Sequence, residues 1–133
     1  MTSRVKIDFE YEYPAGYKTF KRRFDVAGLS GREEAVRSYV TWRNHSVSMQ
    51  AEPDSDHDKN AIAVYGHGQA GWLLQRKRKV RLGYLPKEIA KQLAEQCPVE
   101  KAAIHLNQID VGEYLWMSLC TSHVKISISV PEG

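Results

Sequence analysis

Strict alternation of apolar and polar residues near both ends of the chain constrains its fold most. From Val5 to Tyr13 every odd position is apolar or aromatic and every even position is charged. From Val124 to Val130 every even position is Val or Ile, with Lys or Ser between them. A period of two places alternate side chains on opposite faces of a strand, so it indicates sheets that bury one face. We therefore predict strands over residues 4–13 and 124–130.

Shorter apolar runs between turn residues predict further strands in the middle of the chain. Pro14–Gly16 and Gly66–Gly71 have the composition of turns, and Pro53 ends an alternating run over residues 47–51. The other predicted strands are Lys18–Ala27, Ala61–Tyr65, two strands within Trp72–Leu85 around a basic turn near Lys77–Lys79, Lys101–Gln108 and Glu113–Cys120.

Two helices are predicted from capping signals and apolar periodicity. Ser30 and Glu33 have the spacing of a capping box, and apolar residues recur at helical spacing within Gly31–Thr41. Pro86 suits the first position of a second helix, because its missing amide hydrogen would be unpaired there anyway, and this helix ends near Cys97.

Seven or eight short strands and two helices define the fold class. A chain of 133 residues has the length of one domain, so we expect a single domain over residues 1–133. The class is mainly β or α+β, a small barrel or sandwich of six to eight strands with two short helices packed on it. A parallel dinucleotide-binding sheet would need a helix after nearly every strand, which this pattern does not supply.

The sequence offers little for catalysis, metals or cofactors. Asp54, Asp56 and Asp58 open like a calcium loop, but its sixth position is Lys59 and its twelfth is Tyr65, where Gly and Glu are needed. The five histidines and two cysteines include no Cys-x-x-Cys or His-x₃-His pair for zinc. No Gly-x-Ser-x-Gly turn presents a nucleophile. We therefore predict a protein that is not an enzyme and needs no cofactor.

The cysteine content and the lack of a signal-peptide pattern indicate the cellular compartment that we expect. Two cysteines, Cys97 and Cys120, are too few for a disulfide scaffold and are interpreted as buried thiols in a reducing compartment. The N-terminus has no apolar run like that of a signal peptide, and no stretch approaches the roughly 20 residues of a membrane span. We expect a cytoplasmic protein with no membrane contact.

Positive charge is concentrated although the net charge is only +3. Seven basic residues and one acidic residue lie between Arg76 and Lys91, and Lys21–Arg23 form a second cluster. Trp42, Trp72 and Tyr84 each lie within four residues of a basic residue. Aromatic rings among Lys and Arg suit single-stranded nucleic acid, whose bases stack while its phosphates pair with cations. The alternative is a solvated basic face beside two tryptophans that belong to the core.

Three motifs together resemble the HIRAN domain family. They are Val-Ala-Gly-Leu at 26–29, Glu-Pro-x-x-x-His-Asp-Lys-Asn-Ala-Ile-x-Val at 52–64 and Leu-Gly-Tyr-Leu-Pro-Lys-Glu-Ile-Ala at 82–90. The similarity spans a core of about residues 24–95. It implies an OB-like β-barrel with two helices, completed here by the first and last strands, that binds single-stranded DNA by its free 3′ end.

The resemblance also implies which residues bind DNA. By position in the motifs, His57 would stack on the terminal nucleoside, Asp58 would accept a hydrogen bond from the 3′-hydroxyl, and Lys87 would contact phosphate beside Tyr84. End-binding members carry an Arg and aromatic residues where this chain has Ser30–Arg32, and a Tyr where it has His57. The full set of candidate DNA-binding residues is His57, Asp58, Lys87, Tyr84, Arg32, Lys59, Arg76 and Arg78, with Lys77 and Lys79 adding backbone affinity.

Three hypotheses about function follow. The first is a non-catalytic module for single-stranded DNA that recognises a free 3′-hydroxyl in DNA repair or replication-fork processing, beside a helicase or nuclease partner. The second is a protein-interaction barrel that docks a DNA-processing partner through a sheet edge or the basic hairpin. The third is a metal-dependent nuclease or hydrolase accessory centred on Asp54, Asp56 and Asp58.

Overall fold

A computed structural model describes residues 2–52, 60–71, 73–74, 76–114 and 119–132 of the chain. Its strands are β1 Thr2–Asp8, β2 Tyr17–Asp25, β3 Arg43–Ala51, β4 Ile62–Ala70, β5 Arg76–Tyr84, β6 Ala103–Tyr114 and β7 Leu119–Pro131. Its helices are α1 Glu33–Val40 and α2 Lys87–Gln96, with single 3₁₀ turns at Leu29–Gly31 and Val99–Lys101.

The strands form two antiparallel sheets. One has four strands in the order β1-β6-β7-β2, and the other has three in the order β3-β4-β5. A single bridge between Ala27, just after β2, and Tyr84, at the end of β5, joins their edges. The prediction of a mainly β fold with two short helices is confirmed. Within the described ranges the ladders do not run round into a closed barrel.

One hydrophobic core lies between the sheets and the helices. The alternation near the C-terminus is confirmed, because Val124, Ile126 and Ile128 are fully buried in β7. Helix α1 adds Tyr39 to this core and α2 adds Leu93, both without exposed surface. The Tyr39 hydroxyl donates to the Ser46 carbonyl at 2.7 Å, so this buried polar atom is satisfied, and burial raises the pKa of the phenol.

The N-terminal strand is shorter than predicted, ending at Asp8 instead of Tyr13. Its partner β6 has a bulge between Leu106 and Gln108, and the Phe9 amide makes a last hydrogen bond to the Asn107 carbonyl at 2.8 Å. Beyond that point Tyr11 stacks on the ring of His105. The alternation continues past the strand because these rings pack over β6 without pairing with it.

The prediction of a turn at Gly66–Gly71 is wrong for most of that range, since β4 runs to Ala70. A Cβ atom on Gly66 would lie 2.7 Å from the Tyr39 ring. The glycine is therefore a strand residue that makes room for a core aromatic. The prediction of a basic turn near Lys77–Lys79 is also wrong, because β5 pairs with β4 at every residue from Arg76 to Arg81 and the chain reverses before Arg76.

The helix starts and several strand ends need smaller corrections. Arg32 is the N-cap of α1 and makes no side-chain capping bond, so the helix begins two residues later than a capping box at Ser30 predicts. A separate 3₁₀ turn occupies Leu29–Gly31 because the buried Leu29 anchors it. Pro86 is the N-cap of α2 and not its first residue.

Two of the predicted C-terminal strands, Lys101–Gln108 and Glu113–Cys120, are replaced by the long hairpin of β6 and β7, with 3₁₀ structure at residues 99–101. The observed β2 ends at Asp25, two residues before the predicted end, and β3 begins at Arg43, four residues before the alternating run. Cys97 is a free thiol, but only partly buried. None of the described helices is long and apolar enough to cross a bilayer.

Candidate nucleic-acid interface

The candidate site is built around Tyr84, where the two sheets meet. The Ala27 amide donates to the Tyr84 carbonyl at 2.8 Å, and the Tyr84 amide donates to the Ala27 carbonyl at 2.9 Å. This approach requires a glycine next to Tyr84, because a Cβ atom on Gly83 would lie 2.2 Å from the Ala27 carbonyl oxygen. The backbone of Tyr84 is therefore fixed from both sheets, while its side chain stays partly exposed.

A β-bulge decides which side chains of β5 share a face with Tyr84. Val64 and Tyr65 are adjacent on β4, but their partners on β5, Gly83 and Arg81, are two residues apart. Leu82 is therefore the additional, unpaired residue of the bulge. Directly paired residues lie on the same face of a sheet. The bulge therefore places Tyr84 on the same face as Arg81, whereas simple alternation would place it on the other.

This face carries rings and cations along the length of β5. We call it the cationic face and define it by Lys77, Lys79, Arg81 and Tyr84 on β5 with Tyr65 and His67 on β4. The Lys79 Nζ lies 4.3 Å from the centroid of the Tyr65 ring, and the Arg81 guanidinium carbon lies 5.6 Å from that of Tyr84. Both distances fall within the reach of a cation–π contact.

Glu52 connects the two rings of the cationic face at one end. Its carboxylate accepts hydrogen bonds from the Tyr84 hydroxyl at 3.1 Å and from the Tyr65 hydroxyl at 3.4 Å. Burial and the hydrogen bond to Glu52 raise the pKa of Tyr84, so the phenol stays protonated as a donor. The Glu52 amide also donates to the Ala61 carbonyl at 2.8 Å, which holds these two described residues together beside the tyrosines.

Arg32 supports the site from α1 rather than lying open on its surface. Its Nε and one terminal nitrogen donate to the Arg81 carbonyl at 3.1 and 3.0 Å. This carbonyl lies next to the bulge on β5, an edge strand that pairs with β4 on one side only, so no further strand of the sheet is there to donate a hydrogen bond to it. Arg32 is thus a positioning residue for Arg81, and through it for Tyr84.

His67 adds a titratable group to the middle of the cationic face. Its Nε2 lies 2.6 Å from the Ser48 hydroxyl, and Lys79 is directly opposite it on β5. Burial, with a further contribution from the Lys79 charge, lowers the pKa of the imidazole. His67 is therefore neutral at physiological pH, and the positive charge of the face comes from Lys and Arg.

The structure brings together only part of the predicted site. Tyr84 lies on the cationic face, and Lys87 is exposed at the first position of α2, three residues further on. Arg76 and Arg78 are exposed on β5 but alternate onto the opposite face, where Arg78 lines a shallow cavity with Trp42. His57, Asp58 and Lys59 lie outside the described residues.

The sequence interpretation missed the roles of Tyr65, Glu52 and Arg81. The alternation of Tyr65 and His67 on β4 could have indicated a second exposed row, but it was hidden by the glycines that suggested a turn. Trp42 meets the Tyr39 ring edge-on at 5.4 Å and packs against the core, as its core interpretation predicted.

Metal chemistry finds no support in the described residues. Across residues 2–52, 60–71, 76–114 and the other described positions, no group of three His, Cys, Asp or Glu side chains is arranged to hold an ion. The metal centre of the third hypothesis, at Asp54, Asp56 and Asp58, lies outside those residues.

The chain was compared with protein families, curated proteins and solved structures. Neither the curated proteins nor the solved structures include a match. A family model, described as the HIRAN domain, matches residues 23–115, which is well over half of the chain and includes α1, α2, β3–β5 and the whole cationic face. The chain therefore belongs to the HIRAN domain family, whose members bind nucleic acid.

Proposed function

We propose that this protein is a non-catalytic single-stranded DNA-binding module that captures a free 3′ end. The observation that carries the proposal is the arrangement of the cationic face, where Lys79 and Arg81 each lie over a tyrosine ring. Single-strand binding needs rings for the bases and cations for the phosphates, and this face supplies both on two neighbouring strands.

The spacing of the cations supports a track for the DNA backbone. Lys77, Lys79 and Arg81 are two residues apart on β5, which separates them by about 6.6 Å along the strand. Stacked single-stranded DNA carries one phosphate per roughly 3.4 Å, so alternate phosphates would meet successive cations. Such contacts give affinity without sequence preference, and this is the behaviour expected of an end-binding module.

The proposed end site is next to Tyr84. Glu52 and Ala61, which precede and follow His57 and Asp58 in the sequence, are hydrogen-bonded to each other there, and Glu52 also accepts from Tyr84. We propose that His57 and Asp58 reach the DNA end at this position. A carboxylate accepts a hydrogen bond from a hydroxyl and repels a phosphate, so Asp58 would distinguish a free 3′-hydroxyl from a phosphorylated or continuous strand. Lys87 would contact the phosphate that precedes the terminal nucleoside.

Recognition of free 3′ ends suits a role in DNA repair or replication-fork processing. A module without catalytic groups would deliver the end to a helicase or nuclease partner, which carries out the chemistry. This role rests on the end selectivity, so the decisive experiment measures that selectivity.

Fluorescence anisotropy with a 5′-labelled ten-nucleotide oligo-dT tests the proposal. We expect the 3′-hydroxyl oligonucleotide to bind at least fivefold more tightly than the 3′-phosphate form or a form whose 3′ end is closed in a hairpin. Asp58→Asn should abolish this difference. Asp25→Asn is the matched control, since it removes the same charge from an exposed position on β2 and should leave the difference intact.

Two results would contradict the proposal. Equal affinity for all three oligonucleotides would show a general backbone binder without an end site. Cleavage of the oligonucleotide with Mg²⁺ that stops on adding EDTA would show a metal-dependent nuclease instead of a binding module.

A further inference from the structure

The β4–β5 hairpin ends in an exposed apolar tip. Leu73 and Leu74 expose 76% and 72% of their surface, the highest values among the large apolar side chains that the structure describes. Single exposed leucines are common on protein surfaces, but two adjacent ones at the end of a projecting hairpin are a candidate contact site. The cationic face does not use them.

The base of this tip is held in one conformation. Gly71 has a φ of +94°, and a Cβ atom there would lie 2.7 Å from the Leu74 carbonyl oxygen, so a tight turn requires the glycine. The Arg43 guanidinium donates a hydrogen bond from β3 to the Gly71 carbonyl. The leucines are therefore presented on a braced hairpin.

The charges beside the tip indicate what it contacts. Four consecutive exposed cations, residues 76–79, begin two positions after Leu74. Arg76 and Arg78 lie on the face opposite the cationic face, to which Lys77 and Lys79 belong. A fitting partner thus presents a flat apolar surface framed by negative charge on two sides. The last base pair of a DNA duplex has this character, because its exposed stacking face lies between two phosphate backbones.

We propose that the hairpin tip is a wedge that packs on the terminal base pair where single-stranded DNA meets duplex. The preferred ligand is then a duplex with a 3′ single-stranded overhang, in which the overhang lies on the cationic face. Proteins that insert apolar side chains between base steps from the minor groove partly unstack DNA, and we expect leucines pressed against the terminal pair to loosen its stacking by a related contact. This inference rests on the proposed function, since it needs the 3′ end at Tyr84.

The length of β5 gives the length of the overhang. From Arg76 to Tyr84 the strand spans eight residue steps, about 26 Å at 3.3 Å per step. Stacked single-stranded DNA covers this distance in about eight nucleotides at 3.4 Å each. An overhang much shorter than this cannot reach both the tip and the end site.

The test compares three ligands by anisotropy in the full chain: an eight-nucleotide oligo-dT, a duplex with an eight-nucleotide 3′ overhang, and a duplex with the same overhang at its 5′ end. We expect the 3′-overhang duplex to bind about tenfold more tightly than the other two. The double variant Leu73→Ser, Leu74→Ser should bind it like the free oligo-dT. 2-Aminopurine in the terminal base pair should brighten with the wild-type protein and not with the variant.

Val5→Ser is the matched control, because Val5 is 48% exposed on β1, outside the hairpin, and its replacement should leave the preference unchanged. A wild-type protein that binds oligo-dT but shows no preference for the overhang duplex would overturn the wedge and leave the proposed function standing. Absence of any oligo-dT binding would overturn the proposed function itself. Leucine-dependent binding to vesicles of anionic phospholipid, or a leucine-dependent dimer in solution, without a junction preference would assign the tip to those partners.

Discussion

The two faces of β5 allow a test in which equal numbers of charges are removed from one strand. The pair Lys77→Ala, Lys79→Ala removes two cations from the cationic face. The pair Arg76→Ala, Arg78→Ala removes two from the opposite face, within the same four residues. All four side chains are exposed, so neither pair should change the free energy of unfolding by more than about 0.5 kcal/mol.

The expected size of the effect follows from counterion release. Each phosphate contact to single-stranded DNA contributes about 0.7 to the slope of log affinity against log salt concentration. If Lys77 and Lys79 each neutralise one phosphate, their loss reduces the slope by about 1.4 and weakens binding at 0.1 M salt by about 25-fold. The Arg76→Ala, Arg78→Ala pair should change the slope by less than about 0.3, because these side chains face away from the bound DNA.

The assay is anisotropy with a ten-nucleotide oligo-dT at four salt concentrations between 50 and 300 mM. Net charge falls by two in both variants, so a general loss of attraction would affect the two pairs equally. Equal slopes for the two variants would refute the division of β5 into a binding and a non-binding face. A larger effect of the arginine pair would place the DNA on the side of Trp42 and Arg78.

Other predictions concern the end site and the stability of the fold. Tyr84→Leu should weaken oligo-dT binding by about 1–3 kcal/mol, whereas Tyr84→Phe keeps the ring and should lose less than about 1 kcal/mol; anisotropy of both variants separates stacking from the hydrogen bond to Glu52. Gly83→Ala should lower the free energy of unfolding in urea by about 3 kcal/mol, because its Cβ would meet the Ala27 carbonyl oxygen, and unchanged stability would contradict that contact. Burial lowers the pKa of His105 to about 4 from 6.5, so the unfolded chain binds the proton more readily and stability falls with pH from about 6.5 to 4. Urea unfolding should lose about 2 kcal/mol between pH 7.5 and pH 5, a loss that His105→Gln should largely remove.

The sequence predicted strand β7 well because its aliphatic residues repeat with a strict period. Every Val and Ile from Val124 to Val130 is buried, although Ser127 and Ser129 between them are buried too, and no glycine lies in this stretch. The same alternation predicted that β1 ends at Tyr13, five residues beyond its observed end at Asp8. Tyr11 and Tyr13 continue the alternation, but their rings pack around His105 after the backbone has left the sheet. Tyr11 and Tyr13 are also partly open to solvent, at 37% and 39% exposed, so periodicity alone determines neither backbone pairing nor full burial.

The site was harder to predict because its geometry depends on one inserted residue. Strict alternation of side chains from Lys77 would place Gly83 on the same face as the cations and Tyr84 on the opposite face, towards the core. The bulge at Leu82 reverses this order, and only the register with β4 reveals it. The motif around Gly83 and Tyr84 identified the right ring, but neither its neighbour Arg81 nor its partner Glu52 could be assigned from one strand. The partners are 3 and 32 residues away and meet Tyr84 only through the sheet.

β5 lies at the edge of its sheet, and its charges can serve there both to bind DNA and to keep other chains from pairing with the strand. An exposed edge invites pairing with other chains, and proteins protect such edges with charge or by covering them. Here Arg32 donates hydrogen bonds to the Arg81 carbonyl, and Ala27 pairs with the backbone of Tyr84. Over residues 76–79 the four positive charges would repel β5 of a second copy of the chain. Lys77 and Lys79, which we assign to DNA binding on the cationic face, therefore also help to protect the open backbone edge of β5 against pairing with another chain.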